Sequence, residues 1–263
     1  MEIRLIIRGD DFGMTHSCNL AIRDCFQNGV LTCAAIMAPA PWAEQAAAMA
    51  RAHPDWCVGA HLTTLGEWGG YRWRPVLPYG KVDTLVDEHG FLHQTPGDLF
   101  AKPIDYDQLE REFMAQLDLL ANRWGVNLGY VDYHYIDVEK NDVPQYGQVL
   151  QRVAKAFGLP LSGSVGERAF RNIFFAEPER KADEFAAGLD ELEPGLWLSI
   201  HHLLQDDAES RALRYSDPAD EMPGGSAAHR VAEAAVLTNP AIRERIEARG
   251  IQLVSYRDIT LSC

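Results

Sequence analysis

Short apolar runs alternate along the chain with longer segments in which apolar side chains recur every three to four residues. The short runs are typical of buried strands, and the longer segments are typical of amphipathic helices. Asn28-Gly29 is expected to stop the first helix, and Asn239-Pro240 to break the last one. Strands are predicted at residues 3–8, 31–39, 56–63, 128–135, 159–165, 196–202 and 251–256, and helices at 16–30, 42–54, 105–124, 143–158 and 228–250.

Strand and helix patterns alternate about seven times, with no internal repeat and no low-complexity linker. This order is typical of a parallel α/β sheet, either closed as a barrel or open and doubly wound. The 263 residues, 47% of them hydrophobic, are enough for one large core or at most two domains. Residues 64–104 are rich in glycine, proline and aromatic residues and show no clear period.

The formal net charge of −14 argues against two classes of partner. An acidic field repels nucleic acid and anionic membrane surfaces, so we expect neither. No apolar stretch approaches the roughly 20 residues of a membrane span, and the acidic start does not resemble a signal peptide. The five cysteines are Cys18, Cys25, Cys33, Cys57 and Cys263. Their odd number and the lack of a C-x-x-C pair favour reduced thiols in a cytoplasmic protein.

Polar side chains stand at the ends of four predicted strands. In parallel α/β folds, functional residues cluster at the carboxyl ends of strands, which meet at one rim. A single aspartate there is more often a helix cap, and a single histidine more often a core residue. If all four strand ends lie at one rim, a purely structural explanation needs four unrelated reasons, so a metal site is favoured. The polar residues at these ends are Asp10, Asp11, His61, Asp132, His134, His201 and His202.

One carboxylate and two imidazoles suit Zn²⁺, Co²⁺, Ni²⁺ or Fe²⁺, whereas Mg²⁺ prefers more oxygen ligands. Three protein ligands leave positions open for water and a substrate oxygen, which is typical of a hydrolytic site. A second aspartate beside the ligand could accept a proton from the water. At a bend between strand and loop, both Asp10 and Asp11 could reach the same pocket.

Several motifs resemble those of the YdjC/ChbG-like carbohydrate deacetylases, in the same order and over nearly the whole chain. The opening DDFGMTHSCNLAI and the segment VGAHLT are the more specific ones. The segments YVDYHY, SIHH and RGIQLVSYRDI support them, and EWGGYRWRPVL resembles the loop of a divergent branch. The resemblance implies a single domain over residues 1–263 with a distorted, TIM-like (β/α) barrel of about seven parallel strands.

The resemblance also implies metal-dependent removal of acetyl groups from N-acetylated sugars. By position, Asp11, His61 and His134 match the ligands of one divalent metal ion, zinc or magnesium. Asp10 matches the catalytic base, and His201 matches a late histidine that would protonate the leaving amine or stabilise the transition state. The expected partner is a small-molecule carbohydrate.

Two departures from the family pattern leave alternatives open. Ile136 stands where the family has a second histidine after His134, and His201-His202 replaces a His-Pro pair, so either histidine could face the site. One alternative is a metal-dependent hydrolase of another amide or ester. The other is a sugar- or metal-binding protein without turnover.

The aromatic loop after the third strand suggests a substrate surface. Trp68, Tyr71 and Trp73 could stack on sugar rings, and Arg72 could bind a carboxylate or phosphate. The same aromatic residues could instead pack the loop onto the barrel or form the contact of a homodimer. Arg230 lies in a segment that resembles a family segment near the site, so it is also a candidate substrate contact.

Overall fold

A computed structural model describes residues 2–259 of the chain. Its seven strands are all parallel and belong to one sheet, in the order β4-β3-β2-β1-β6-β5, with β7 also paired to β1. The strands are β1 (Ile3–Phe12), β2 (Cys33–Ile36), β3 (Cys57–Leu62), β4 (Leu128–Tyr133), β5 (Arg168–Ala169), β6 (Gly195–His202) and β7 (Gln252–Leu253). The predicted fold class, a distorted (β/α) barrel of about seven parallel strands, is confirmed.

Helices follow most strands and cover the outside of the sheet. Thr15 caps the first helix, and Asn239 ends the eighth helix and caps the ninth, where Pro240 occupies the first turn. The helices are α1 (His16–Asn28), α2 (Ala43–Ala52), α3 (Pro96–Leu99), α4 (Tyr106–Asp118), α5 (Pro144–Ala156), α6 (Lys181–Glu191), α7 (Ala208–Ala212), α8 (Ser226–Thr238) and α9 (Pro240–Ala248). A π-helical turn, Leu119–Arg123, extends α4.

Several elements differ from the pattern prediction, including the short helices α3 and α7, which were not predicted. The predicted strand at 159–165 contributes only a single bridge, between Leu161 and Val131, because Gly163 and Gly166 take positive φ angles that break an extended chain. The fifth strand is instead the short β5. Helix α6 was not predicted, because its buried face carries a thin apolar stripe around Phe185 and Leu189.

The core has two layers, one on each face of the sheet. Side chains alternate along a strand, so β1 directs Leu5 and Ile7 towards the helices and Ile6 towards the barrel interior. Burying one aliphatic side chain completely stabilises the fold by about 1.5–3 kcal/mol relative to leaving it exposed. The interior cluster comprises Ile6, Cys33, Ala35, Cys57, Tyr130, Leu196, Leu198 and Tyr256.

Strand pairing brings the predicted polar residues to the carboxyl-end rim of the barrel. Asp10 lies opposite His202 in the β1–β6 ladder, and His61 lies opposite Asp132 in the β3–β4 ladder. The interior cluster therefore forms an apolar floor, and the polar ends of β1, β3, β4 and β6 lie above it.

Two further sequence predictions concern the cysteines and membranes. The four cysteines within the described residues are free and buried, and Cys263 lies outside those residues. Between residues 2 and 259, no helix combines the length and apolarity needed to cross a membrane.

Candidate metal centre and active-site cavity

The end of β1 bends so that two consecutive aspartates serve one site. The β1–β2 register shifts between Gly9 and Phe12, and Asp11 has a φ of 63°, in the left-handed region. This conformation costs of order 1–3 kcal/mol for a residue other than glycine, although aspartate tolerates it better than most. The turn closes through the Met14 N–H, which donates to the Asp11 carbonyl at 2.9 Å. The bend turns Asp11 from the helix side towards the interior side, where Asp10 already lies.

Three buried atoms converge beside this bend. Asp11 Oδ1 lies 3.1 Å from His134 Nδ1 and 3.5 Å from His61 Nε2, and the two nitrogens are 3.2 Å apart. Asp11 Oδ1 has no hydrogen-bond partner although it is fully buried. A buried oxygen without a partner is rare, and two imidazole nitrogens beside it form a familiar donor set for a divalent cation. The residues present therefore fit one metal ion.

Each of the two histidines also contacts a carboxylate through its other ring nitrogen. His61 Nδ1 lies 2.8 Å from Asp132 Oδ2, and His134 Nε2 lies 2.8 Å from Glu67 Oε2. Such carboxylates hold the proton on the outer nitrogen and leave the inner one free as a ligand. His61 would thus bind through Nε2 and His134 through Nδ1.

The pKa values of the two histidines show that the site favours positive charge. Burial by itself would lower both, but Asp10, Asp11 and Asp132 outweigh it and raise the pKa of His61 to about 9. Glu67 and Asp11 likewise outweigh burial and raise the pKa of His134 to about 10. In the absence of a cation, protons would therefore occupy the position that a metal ion would take.

Two arginines organise the aspartates. Arg230 Nη1 donates to Asp11 Oδ2 at 2.5 Å; despite burial, this charge holds the pKa of Asp11 well below its usual range. Arg8 donates to both oxygens of Asp10, at 2.6 and 2.9 Å, and pairs with Asp132 at 2.9 Å. Asp10, His61 and Asp132 are also close enough to share an ion. Because Arg8 already places a cation between those carboxylates, Asp11, His61 and His134 fit a metal better.

A cavity of about 220 Å³ opens over this centre, and we refer to it as the site cavity. It contains Asp10, His61 and His134 from the predicted metal and catalytic set, and Arg230 from the predicted substrate contacts. The complete lining is Asp10, His61, Glu67, Tyr133, His134, Tyr135, Phe174, His202, Tyr215 and Arg230.

Of the two late histidines that the sequence left open, His202 lines the site cavity and the favoured His201 does not. His201 points to the helix side, where Nε2 lies 2.8 Å from Ser199 Oγ and Nδ1 lies 3.2 Å from Glu233 Oε2. His202 lines the site cavity instead, with its ring 5.0 Å from that of Phe174 and its Nδ1 without a partner. The reason is strand alternation, which puts His202 on the same face as Leu196 and Leu198.

Of the two roles that the sequence left open for the aromatic loop, the structure shows packing, and the four predicted substrate contacts in this loop do not line the cavity. Trp68 is fully buried and stacks on Tyr215 at 4.5 Å. The Trp73 indole donates to the Leu65 carbonyl at 3.1 Å. The remaining two contacts are Tyr71 Oη with the Met14 carbonyl at 2.7 Å and Arg72 with Asp87 at 2.7 Å. Large aromatic side chains gain most from burial, so the packing interpretation of this loop is the one observed.

Several cavity residues were missed in the sequence. Glu67 lies directly before Trp68 in a segment without a period, so nothing marked it. Tyr135 follows His134 with a φ of 62°, and its hydroxyl donates to Asp220 at 3.0 Å. Phe174 comes from an irregular loop. Asp132, which contacts His61 from outside the cavity lining, was not missed, because the sequence already placed it among the strand-end polar residues.

The fold and the buried Asp-His-His centre together define a (β/α)-barrel protein with a cluster of side chains that could hold a metal ion. Within this class, comparison with family models identifies one family: the model of the YdjC-like protein family matches residues 4–248. The chain belongs to the YdjC-like family, as its sequence motifs suggested.

Similar proteins cover nearly the whole chain. It is 30% identical over 262 residues to a carbohydrate deacetylase of Geobacillus stearothermophilus, covering 96% of each chain. It is 26% identical to a chitooligosaccharide deacetylase of Serratia marcescens, covering 98% of this chain and all of the relative. A crystal structure of an Enterococcus faecalis protein named for cellobiose-phosphate cleavage shares the fold, with a TM-score of 0.80 at 23% identity and coverage of 99% and 100%. A family 4 carbohydrate esterase of Streptomyces lividans, solved with acetate, has a TM-score of 0.51 at 12% identity and coverage of 99% and 97%.

Proposed function

We propose that this chain is a metal-dependent carbohydrate deacetylase that hydrolyses the acetamide of an N-acetylated sugar or oligosaccharide. The convergence of Asp11 Oδ1, His61 Nε2 and His134 Nδ1 within 3.5 Å carries the proposal. The relatives named as carbohydrate and chitooligosaccharide deacetylases support the substrate class. Both alternatives, a hydrolase of other amides or esters and a binding protein without turnover, receive less support.

Asp11, His61 and His134 would hold the divalent ion, with zinc favoured over magnesium because two of the three donors are imidazoles. When bound, such an ion lowers the pKa of coordinated water and polarises a carbonyl group. Arg230 and the carboxylates of Asp132 and Glu67 keep the three ligands in orientation.

Asp10 would accept a proton from the water that attacks the acetyl carbon. Arg8 holds both of its oxygens, so the carboxylate is oriented before substrate binds. The C–N bond then breaks, acetate forms, and the departing nitrogen needs one proton. Burial lowers the pKa of His202, which favours its neutral form, so this imidazole on the cavity wall would relay to the nitrogen the proton that Asp10 took from water, in place of His201.

Arg230, which already contacts Asp11, would also contact the substrate. Its Nε is buried without a partner, and so is Glu67 Oε1, and both residues line the site cavity. One donates and the other accepts, which suits a sugar hydroxyl or the acetamide group. The cytoplasmic location, the single domain over 1–263 and the homodimer stay predictions.

The replacement Asp10→Asn tests the proposal. We expect metal affinity to stay within about threefold of wild type and acetate release to fall by about 10²–10⁴, because only the proton acceptor is lost. Calorimetry with Zn²⁺ and an acetate assay on N-acetylated chito-oligosaccharides measure the two quantities. Asp118→Asn, at an exposed ion pair with Arg123, is the matched control and should leave both unchanged.

Full activity of Asp10→Asn would remove the assignment of the base. Faster metal-dependent hydrolysis of simple amides or esters than of N-acetylated sugars would favour the first alternative. Metal binding with no acetate release from any sugar would favour the second.

A further inference from the structure

A buried network of charged side chains lies behind the site cavity, on the helix side of the sheet. Lys181 in α6 and Glu233 in α8 are both fully buried. Lys181 Nζ donates to the carbonyls of Ile173 and Phe174, at 2.7 Å each, and to Glu233 Oε1 at 3.2 Å. All three ammonium hydrogens are therefore used, and two of them hold the loop that carries Phe174.

The other oxygen of Glu233 holds a second segment. Glu233 Oε2 accepts from the backbone N–H of His202 at 3.1 Å and lies 3.2 Å from His201 Nδ1. A single ion pair thus connects the Phe174 loop to the end of β6. These segments supply two adjacent side chains of the cavity wall, because the rings of Phe174 and His202 are 5.0 Å apart.

Stability by itself does not account for this pair. Burial lowers the pKa of Lys181, and replacing a buried ion pair by well-packed apolar residues is often neutral or stabilising. The loop between β5 and α6 has little regular structure of its own, and Phe175 beside Phe174 is 75% exposed. Lys181 therefore supplies a restraint that this loop otherwise lacks.

We propose that Lys181 and Glu233 are positioning residues for the reaction: through the Phe174 loop and the His202 backbone they hold the His202 imidazole at the departing nitrogen. The inference rests on the proposed function. Neither side chain lines the site cavity, and neither is hydrogen-bonded to Asp11, His61 or His134. They are expected to affect the chemical step rather than the binding of metal.

The test compares Glu233→Gln and Lys181→Met with Glu112→Gln. Glu112 is a matched control because it is a fully buried helix carboxylate that accepts from the Val76 and Leu77 backbone N–H groups, at 2.8 and 2.9 Å, outside the site cavity. We expect Glu233→Gln and Lys181→Met to lower kcat by about 10–100-fold, since small misplacements of a reacting group have effects of this size. KM and the Zn²⁺ dissociation constant should change by less than about threefold. Glu112→Gln should lower Tm and leave kcat unchanged.

Amide hydrogen exchange gives a readout independent of turnover. The His202 amide and the amides of residues 172–176 should exchange at least about tenfold faster in both variants than in wild type. Unchanged exchange there, or a loss of Tm with wild-type kcat and KM, would overturn the proposal. If the single variants do not fold, Lys181→Met/Glu233→Leu removes both charges together, and wild-type kcat in that variant would also overturn it. If the wild type itself releases no acetate, the deacetylase proposal fails, whereas hydrogen exchange still reports whether the pair restrains the two segments.

Discussion

The two faces of β6 carry the same residue type with different surroundings. His201 lies in the packed layer between sheet and helices, where Ser199 and Glu233 satisfy its ring nitrogens. His202, the next residue, faces the site cavity with Nδ1 unpartnered. Neighbouring positions on a strand point to opposite sides, so the register with β1, which pairs Asp10 with His202, decides which histidine reaches the chemistry.

A similar contrast exists in the loop after β3. Trp68 is buried against Tyr215, whereas Glu67 beside it lines the site cavity and contacts His134. In both places the residue that the sequence analysis favoured is packed, and its neighbour faces the site cavity. The residue type alone therefore does not identify the cavity face of a segment that is buried on both sides.

The largest expected effect compares the two histidines directly. His202→Gln should lower kcat by about 10²–10⁴ with little change in Tm, because it removes a proton donor from the cavity. His201→Gln should destabilise the fold by about 1–3 kcal/mol, since it disturbs buried hydrogen bonds, and should keep kcat within about tenfold. Acetate release and thermal unfolding measure the pair. Equal losses of kcat would erase the distinction between the two faces.

A smaller effect is expected at Glu67. Glu67→Gln keeps the shape but weakens the hold on His134 Nε2, so Zn²⁺ affinity should fall by about 10–100-fold. Asp132→Asn, which affects His61 in the same way, should have a comparable effect. Calorimetric titration of metal-free protein measures both. Wild-type affinity in Glu67→Gln would show that this carboxylate serves another purpose.

The smallest effect concerns acid stability on the helix side. Despite burial, contacts with His201, His202 and Lys181 lower the pKa of Glu233. Its stabilising contribution is therefore present above the ordinary glutamate pKa and is lost as pH falls through the lowered value. The gap in unfolding free energy between wild type and Glu233→Gln should shrink over that acidic range, as measured by urea denaturation.

Glu112 should behave in the opposite way. Burial raises its pKa, so its ionisation costs folded-state stability as pH rises through the raised value. The gap between wild type and Glu112→Gln should then shrink as pH rises. Parallel pH trends for the two buried glutamates would contradict the difference drawn between their surroundings.

Much of the fold could be predicted because the spacing of apolar residues and the polar residues that follow a strand are local features of the sequence. The alternation of β1 to β4 with α1, α2, α4 and α5 was readable from the chain, and so were Asp10, Asp11, His61 and His134 as strand-end polar residues. Helix α6 and β5 were not, because each carries too few large apolar residues to show a period.

The sequence by itself determined the parallel α/β class, the set of polar residues at the strand ends and the family to which the chain belongs. Each depends on residue type and spacing along the chain. Only the tertiary structure decided which side each residue serves: His202 rather than His201, Glu67 rather than Trp68, and Lys181 with Glu233 behind the wall. These choices depend on strand register and on contacts between residues far apart in the chain, and local pattern does not encode either one.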